Sequence, residues 1–285
     1  MYFSHAFYCC IIIRILPSTR HSSSTCEVLK RVHIMLNILN LPRGSYEILG
    51  FFVCFRALQY ALKNYAPTPS GLKSSPPRKT WLYQNISVSF VHSFISAILS
   101  VYCFFDEPVM LTKMLTAWSN TAFYLVTFCT GMSYMGYFIH DFFDMLMYDA
   151  SNSMSLLIHH VLVCMAFSIA VFSKMYIAFA VCSLLMEVNS VFLHLRQLLN
   201  FHGVSKTCML YRVVRIVVLM TFVCFRFLTS AWMTNFVIQH RNDLPFLHFL
   251  FSATGMAIIS GLNIQIFMAF WRAEFRRNQN KQRDN

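Results

Sequence analysis

MSLLIHHVLVCMAFSIAVF, from Met154 to Phe172, is the stretch from which the rest of the chain is read. About 20 predominantly apolar residues span a bilayer core. This run has that length and contains no Asp, Glu, Lys or Arg. Its two histidines, His159 and His160, are ionisable groups inside a membrane helix, where such groups are expensive and face a cavity or a partner. Consecutive helical residues point about 100° apart. One histidine is therefore expected to face a cavity and the other a neighbouring helix.

The composition of the whole chain agrees. Of 285 residues, 57% are hydrophobic and only 12% charged, with 29 phenylalanines and 17 methionines. A soluble domain carries about 25% charged residues, so the sequence predicts an all-α polytopic membrane protein. The net charge of +12 lies in loops and tails rather than on one face. That pattern fits basic residues flanking membrane helices and excludes nucleic acid as a partner. The ten cysteines are scattered without a CxxC pair, which argues against a disulfide framework or a zinc site. Cys9-Cys10 is a weak signal for palmitoylation.

Seven apolar runs follow one another: 46–62, 86–105, 121–139, 154–172, 175–199, 210–232 and 246–271. The expected organisation is an N-terminal segment over 1–45, read as a poorly cleaved signal, a marginal helix or a non-native start. A first helix and a Pro/Ser/Lys linker occupy 46–76, a membrane domain 77–272, and a basic cytoplasmic tail 273–285. Counting Lys and Arg in short loops orients the C-terminus inside. Lys63, Lys73, Arg78 and Lys79 then fall inside, as do Arg196, Lys206, Arg212 and Arg215. Arg14, Arg20, Lys30, Arg31 and Arg43 conflict with that scheme. The sequon at Asn85 falls on the inside and is expected to go unused.

Polar residues within the runs are the candidates for a site. Ser89, Ser93, Ser96 and Ser100 share one helix face, expected to be a close-packing seam, and His92 lies beside them. Gly131, Ser133 and Gly136 allow close helix approach. Asp141 and Asp144, three apart, share a face if the helix continues. They either serve a histidine as carboxylate partners or are solvated at a helix end. Glu187 lies inside a span, where a carboxylate costs up to roughly 2.5–3.5 kcal/mol. Pairing with an imidazole or with Arg226 would remove most of that cost. His194 follows two turns on, and Asn189 lies between them. Arg56, Arg226, Asn263 and Gln265 complete an expected internal polar network. A metal is not expected, because one-helix ligands sit at i and i+4 as in HExxH, and neighbouring histidines do not.

Four stretches carry a family resemblance: Trp81 to Ser93 (WLYQNISVSFVHS), Gly136 to Met145 (GYFIHDFFDM), Ile158 to Val161 (IHHV) and Glu187 to Arg196 (EVNSVFLHLR). In this order they resemble the TLC-domain family, whose membrane domain is shared with ceramide synthases and the translocating-chain-associating protein. The resemblance covers roughly Pro77 to Arg272. The first stretch is nearer to the branch holding TLC domain-containing proteins one and two than to the synthases. The resemblance implies about six to seven transmembrane helices in a barrel open to lipid, with His159 and His160 inside an acyl-chain tunnel. Synthases carry a histidine–aspartate pair and a second aspartate where this chain reads Met186, Glu187 and Ser190. Acid–base chemistry that needs those groups is therefore in doubt, and ceramide synthesis is not expected.

The resemblance also implies the leading functional expectation. It is a regulator of plasma-membrane phospholipid composition and fluidity, restricting polyunsaturated acyl chains in phospholipids and so favouring a rigid membrane. The alternative is an acyl-CoA-dependent lipid acyltransferase, with His159 or His160 as base and Asp141 or Glu187 as orienting carboxylate. A further alternative, suggested by the name of one member of that branch, is a modulator of a channel or other membrane protein. No cofactor is expected, and acyl-CoA enters only as a substrate. Expected partners are membrane lipids and phospholipid acyl chains, with other membrane proteins in the modulator alternative. The endoplasmic reticulum is the alternative location.

Overall fold

In the computed structural model, residues 76–134 and 137–283 are described, together with residues 60, 61, 69 and 72; the side chains of residues 77, 130–153 and 275–283 are not. The N-terminal segment and most of the first apolar run and its linker, Arg56 included, lie outside the described residues, as do the side chains of Gly131, Ser133, Asp141 and Asp144 and all of Gly136.

Every regular element among the described residues is helical. Helix α1 covers Pro77–Asp106, α2 Asn120–Tyr134 and α3 Tyr137–Ser173. Next come α4 (Ile177–Leu184) and α5 (Glu187–Phe201), which together make one rod. A second rod is α6 (Met209–Phe222), a wide π-helical turn (Val223–Leu228) and α7 (Thr229–Gln239). Helix α8, Phe246–Arg283, ends the described chain. Of these six rods, five are long and apolar enough to cross a membrane, namely Arg78–Asp106, Met154–Ser173, Ile177–Phe201, Met209–Gln239 and Phe246–Glu274.

Several boundaries differ from the apolar runs. Helix α3 begins at Tyr137, well before Met154, because the polar stretch from Asp149 to Ser155 lowers hydropathy without breaking a helix. There is no Gly or Pro anywhere in α3. For the same reason α8 runs past Trp271 through the basic tail. The fifth run is interrupted where Leu185 and Met186 donate backbone N–H bonds to Cys182 and Ser183, three residues back, at 3.2 Å each. This tightened turn places Glu187 at the start of a new helical segment.

Helix ends follow ordinary chemistry. Pro77 opens α1 where no N–H partner is needed, and Pro108 follows its end. Helix α5 closes on Gly203, at φ 69°, with Gly203 N–H bonded to Asn200 O (3.1 Å) and Val204 N–H to Leu199 O (3.0 Å). That is a left-handed glycine cap. The reversal after α3 is less ordinary, since Lys174 and Tyr176 adopt φ of 55° and 64°. Such conformations are costly for residues with a Cβ. Packing holds them: Tyr176 N–H donates to Leu115 O (3.1 Å) and Phe179 N–H to Met114 O (3.2 Å).

Helix α1 packs most extensively on α5, and α2 on α3. One core joins α1–α4 through Val88, Cys103, Val126, Phe167, Val171 and Val181. A second is rich in methionine and joins the 110–117 loop to α4, α7 and α8 through Met114, Cys182, Met233, Phe236 and Met256. Unbranched thioethers fill irregular gaps, and here they floor a cavity.

Candidate functional site

Two irregular turns, the tightened one before Glu187 and the π turn around Arg226, bring charged side chains to one cavity. It measures about 160 Å³ and lies between α3, α4, α7 and α8. His159, Glu187 and Arg226 line one end. From there its walls are mainly apolar (Leu162, Ala166, Phe167, Leu184, Met233, Met256). Along α3 the lining runs from His159 to Ile169, about 15 Å at 1.5 Å per residue. At the far end Tyr176 and His248 meet, Oη to Nδ1 at 2.9 Å, with their rings edge to face. Partial burial raises the Tyr176 phenol above its ordinary pKa, so it stays protonated at neutral pH.

Arg226 is held by neutral oxygens. Its Nε donates to Asn189 Oδ1 (2.8 Å), one terminal nitrogen to Asn263 Oδ1 (2.8 Å) and the other to Ser190 Oγ (2.9 Å). Its guanidinium also lies 5.5 Å from the centre of the Phe222 ring. The acceptors are themselves fixed. Asn189 Nδ2 donates to Val218 O (3.1 Å) and Thr221 Oγ1 (3.0 Å), and Asn263 Nδ2 donates to Ser230 Oγ (3.1 Å) and contacts Met186 Sδ (3.9 Å). A π turn inserts a residue into the helix and commonly marks a functional site. This one carries Arg226 within a cluster of Phe222, Phe227 and Phe267, with ring centres 5.1–5.4 Å apart.

Glu187 is bound differently from expectation. Ser93 Oγ on α1 donates to its Oε2 at 2.6 Å, and among the described residues no ion pair joins it to Arg226. Asn189, Ser190 and Asn263 already hold the guanidinium. His92 lies with Nδ1 3.3 Å from Ser96 Oγ, its ring stacked on Phe128. His92, His159, His194 and Arg226 are all within electrostatic reach of Glu187.

The histidine pair divides. His159 lines the cavity, while His160 is within electrostatic reach of His92 on α1. Their ring centres are 5.6 Å apart. His194 is near Glu187 and Arg226, and its Nδ1 is buried without a hydrogen bond among the described residues. Gln265 is not part of this network; it is exposed and accepts from Ser155 Oγ at 2.9 Å. Asp141 and Asp144 lie on the backbone of α3, their side chains outside the described residues. Ser93, Ser96 and Ser100 are buried on the α1 face, but Ser93 is more than a packing residue because it holds Glu187.

Sequence reasoning missed Ser190, Thr221 and Ser230 as the frame around Arg226, since hydroxyls in apolar helices usually bond their own backbone. It also missed Tyr176 with His248, and Glu274. At the end of the bundle nearest the C-terminus, Glu274 accepts from an Arg196 terminal nitrogen (2.7 Å) and from Tyr211 Oη (2.9 Å), with Lys206 Nζ at 3.6 Å.

A TLC domain family model matches residues 83–272, about two thirds of the chain. TLC domain-containing protein 2 of Danio rerio is 37% identical over 241 residues, covering 84% of this chain and 92% of that protein. TLC domain-containing protein 1 of Mus musculus is 33% identical over 226 residues, 79% of this chain and 86% of that protein. TLC domain-containing protein 2 of Homo sapiens is 29% identical over 232 residues, 79% of this chain and 84% of its own length.

Proposed function

From the premise that the chain belongs to the TLC domain family and is a multi-pass membrane protein, we propose that it regulates the acyl composition of membrane phospholipids by holding an acyl chain in its interior cavity. It restricts incorporation of polyunsaturated chains into phospholipids and so favours a more rigid membrane. Its place is the plasma membrane with the C-terminus cytoplasmic, and the endoplasmic reticulum is the alternative. Its partners are membrane lipids and, in the modulator reading, other membrane proteins.

The observation that carries this reading is the cavity itself. Its wall is mainly apolar over about 15 Å and ends on His159, Glu187 and Arg226. Such a shape suits a chain with a polar head better than a fully polar metabolite. Two positions where synthases carry ionisable groups do other work here. Met186 is buried in the methionine core and Ser190 accepts from Arg226. That supports a lipid-handling role other than ceramide synthesis.

The test is phospholipid acyl profiling of cells lacking the chain under a polyunsaturated fatty acid load. Polyunsaturated phospholipids should rise and fall back on re-expression of wild type. Unchanged profiles would sink the proposal. Acyl transfer from acyl-CoA is the second reading, favoured by His159 lining the cavity beside Glu187. It requires turnover by purified protein that is lost in His159→Ala.

A further inference from the structure

Glu187 and Arg226 line the same end of the cavity, yet each is bonded to something else. A guanidinium has five N–H donors, of which Asn189, Asn263 and Ser190 engage three. Two remain. The Glu187 carboxylate receives one hydrogen bond, from Ser93 to Oε2. Its Oε1 carries none among the described residues, and Glu187 lines the cavity. A mainly apolar chamber thus ends on a fixed donor and a fixed acceptor with no ion pair between them.

Resting on the acyl-cavity reading above, we propose that this end recognises the head of an unesterified fatty acid in its protonated form. The carbonyl oxygen accepts from Arg226 and the acid hydroxyl donates to Glu187, while the tail follows the apolar wall toward Tyr176 and His248. Charge balance selects this head. Arg226 and Glu187 are the cation and the anion among the described lining residues, so an added ionised carboxylate would leave a net negative charge in an apolar interior, which is costly. A fatty acid that keeps its proton adds none. An ester supplies an acceptor but no donor, and an alcohol must use one oxygen for both roles.

The experiment uses the full chain in lipid nanodiscs and bound tritiated oleic acid, with protein-free nanodiscs as the blank. Unlabelled oleic acid, methyl oleate and oleyl alcohol compete. A hydrogen bond to a charged group contributes about 1.5–3 kcal/mol, and 1.4 kcal/mol is tenfold. The acid should therefore displace at about 10- to 100-fold lower concentration than the ester. Glu187→Leu, which removes the acceptor for the acid's hydroxyl, should erase that difference at acidic pH, where the free acid keeps its proton. Arg226→Gln, which removes the carbonyl's donor, should weaken acid and ester alike. Equal displacement by acid and ester in the wild type overturns the proposal with no variant needed. So does a tenfold acid preference surviving in Glu187→Leu at acidic pH. If none of the three ligands binds, the acyl-cavity reading falls with it; if all bind equally, that reading stands and only the head recognition is lost.

Discussion

Replacing Glu274 by Leu isolates the energetics of the polar cluster near the C-terminal end of the bundle. The Glu274 side chain is 1% exposed and that of Arg196 10% exposed, and their contact is 2.7 Å. Removing the carboxylate leaves a buried guanidinium without its counter-charge, and its Nε already lacks a hydrogen bond among the described residues. Breaking one half of a buried pair costs about 3–5 kcal/mol. Tyr211→Phe removes one neutral donor to the same oxygen and should cost about 1.5–3 kcal/mol, the range for bonds to a charged group. Lys206 is 3.6 Å away and 42% exposed, so Lys206→Ala should cost less than about 1 kcal/mol. The double variant Arg196→Leu/Glu274→Leu should come back close to wild type, because two desolvated charges are replaced by apolar volume. Reversible unfolding in mixed detergent micelles, run on the four corners of this cycle, measures the coupling. A coupling below about 1 kcal/mol, or a double variant as unstable as the sum of its singles, would refute the assignment of this cluster as a buried pair.

Other outcomes follow from the same geometry. Ser93→Ala should destabilise by about 1.5–3 kcal/mol, since it strips a donor from the Glu187 carboxylate; the same unfolding assay reads it. Gly203→Ala should cost about 1 kcal/mol although a Cβ there meets nothing, because φ of 69° is strained for any L-residue; Gly203→Asn should cost less. In a variant keeping Cys208 alone, an impermeant maleimide should label only after the plasma membrane is permeabilised, because Cys208 is exposed on the side of the bundle assigned to the cytoplasm. Labelling of intact cells would reverse the orientation.

The helical class was legible because apolar runs of bilayer length have few other solutions. Helix ends were less so, as α3 and α8 show, because hydropathy reports what a segment faces and says little about where its backbone ladder stops. Glu187, Asn189, Arg226 and Asn263 were readable as expensive residues in a membrane. Their pairing was not: an arginine and a glutamate in one cavity suggest an ion pair, and three neutral oxygens took the arginine instead. Neither the tightened turn at Leu185–Met186 nor the π turn has a Gly or Pro to announce it. Tertiary packing sets both.

Helix α8 has one further consequence. Asn263 grips Arg226, and Glu274 grips Arg196. They are eleven residues apart on one helix, about 16 Å and close to three full turns, so both point from nearly the same side of the rod. A helix pinned twice along one edge can neither slide nor spin as a unit. Its part from Phe246 to Ile259 lies beyond both pins and forms one wall of the cavity. That wall is fastened as well, by the His248–Tyr176 bond at its far end and by Met256 in the methionine core, so the helix meets the cavity as a fixed wall rather than a moving one.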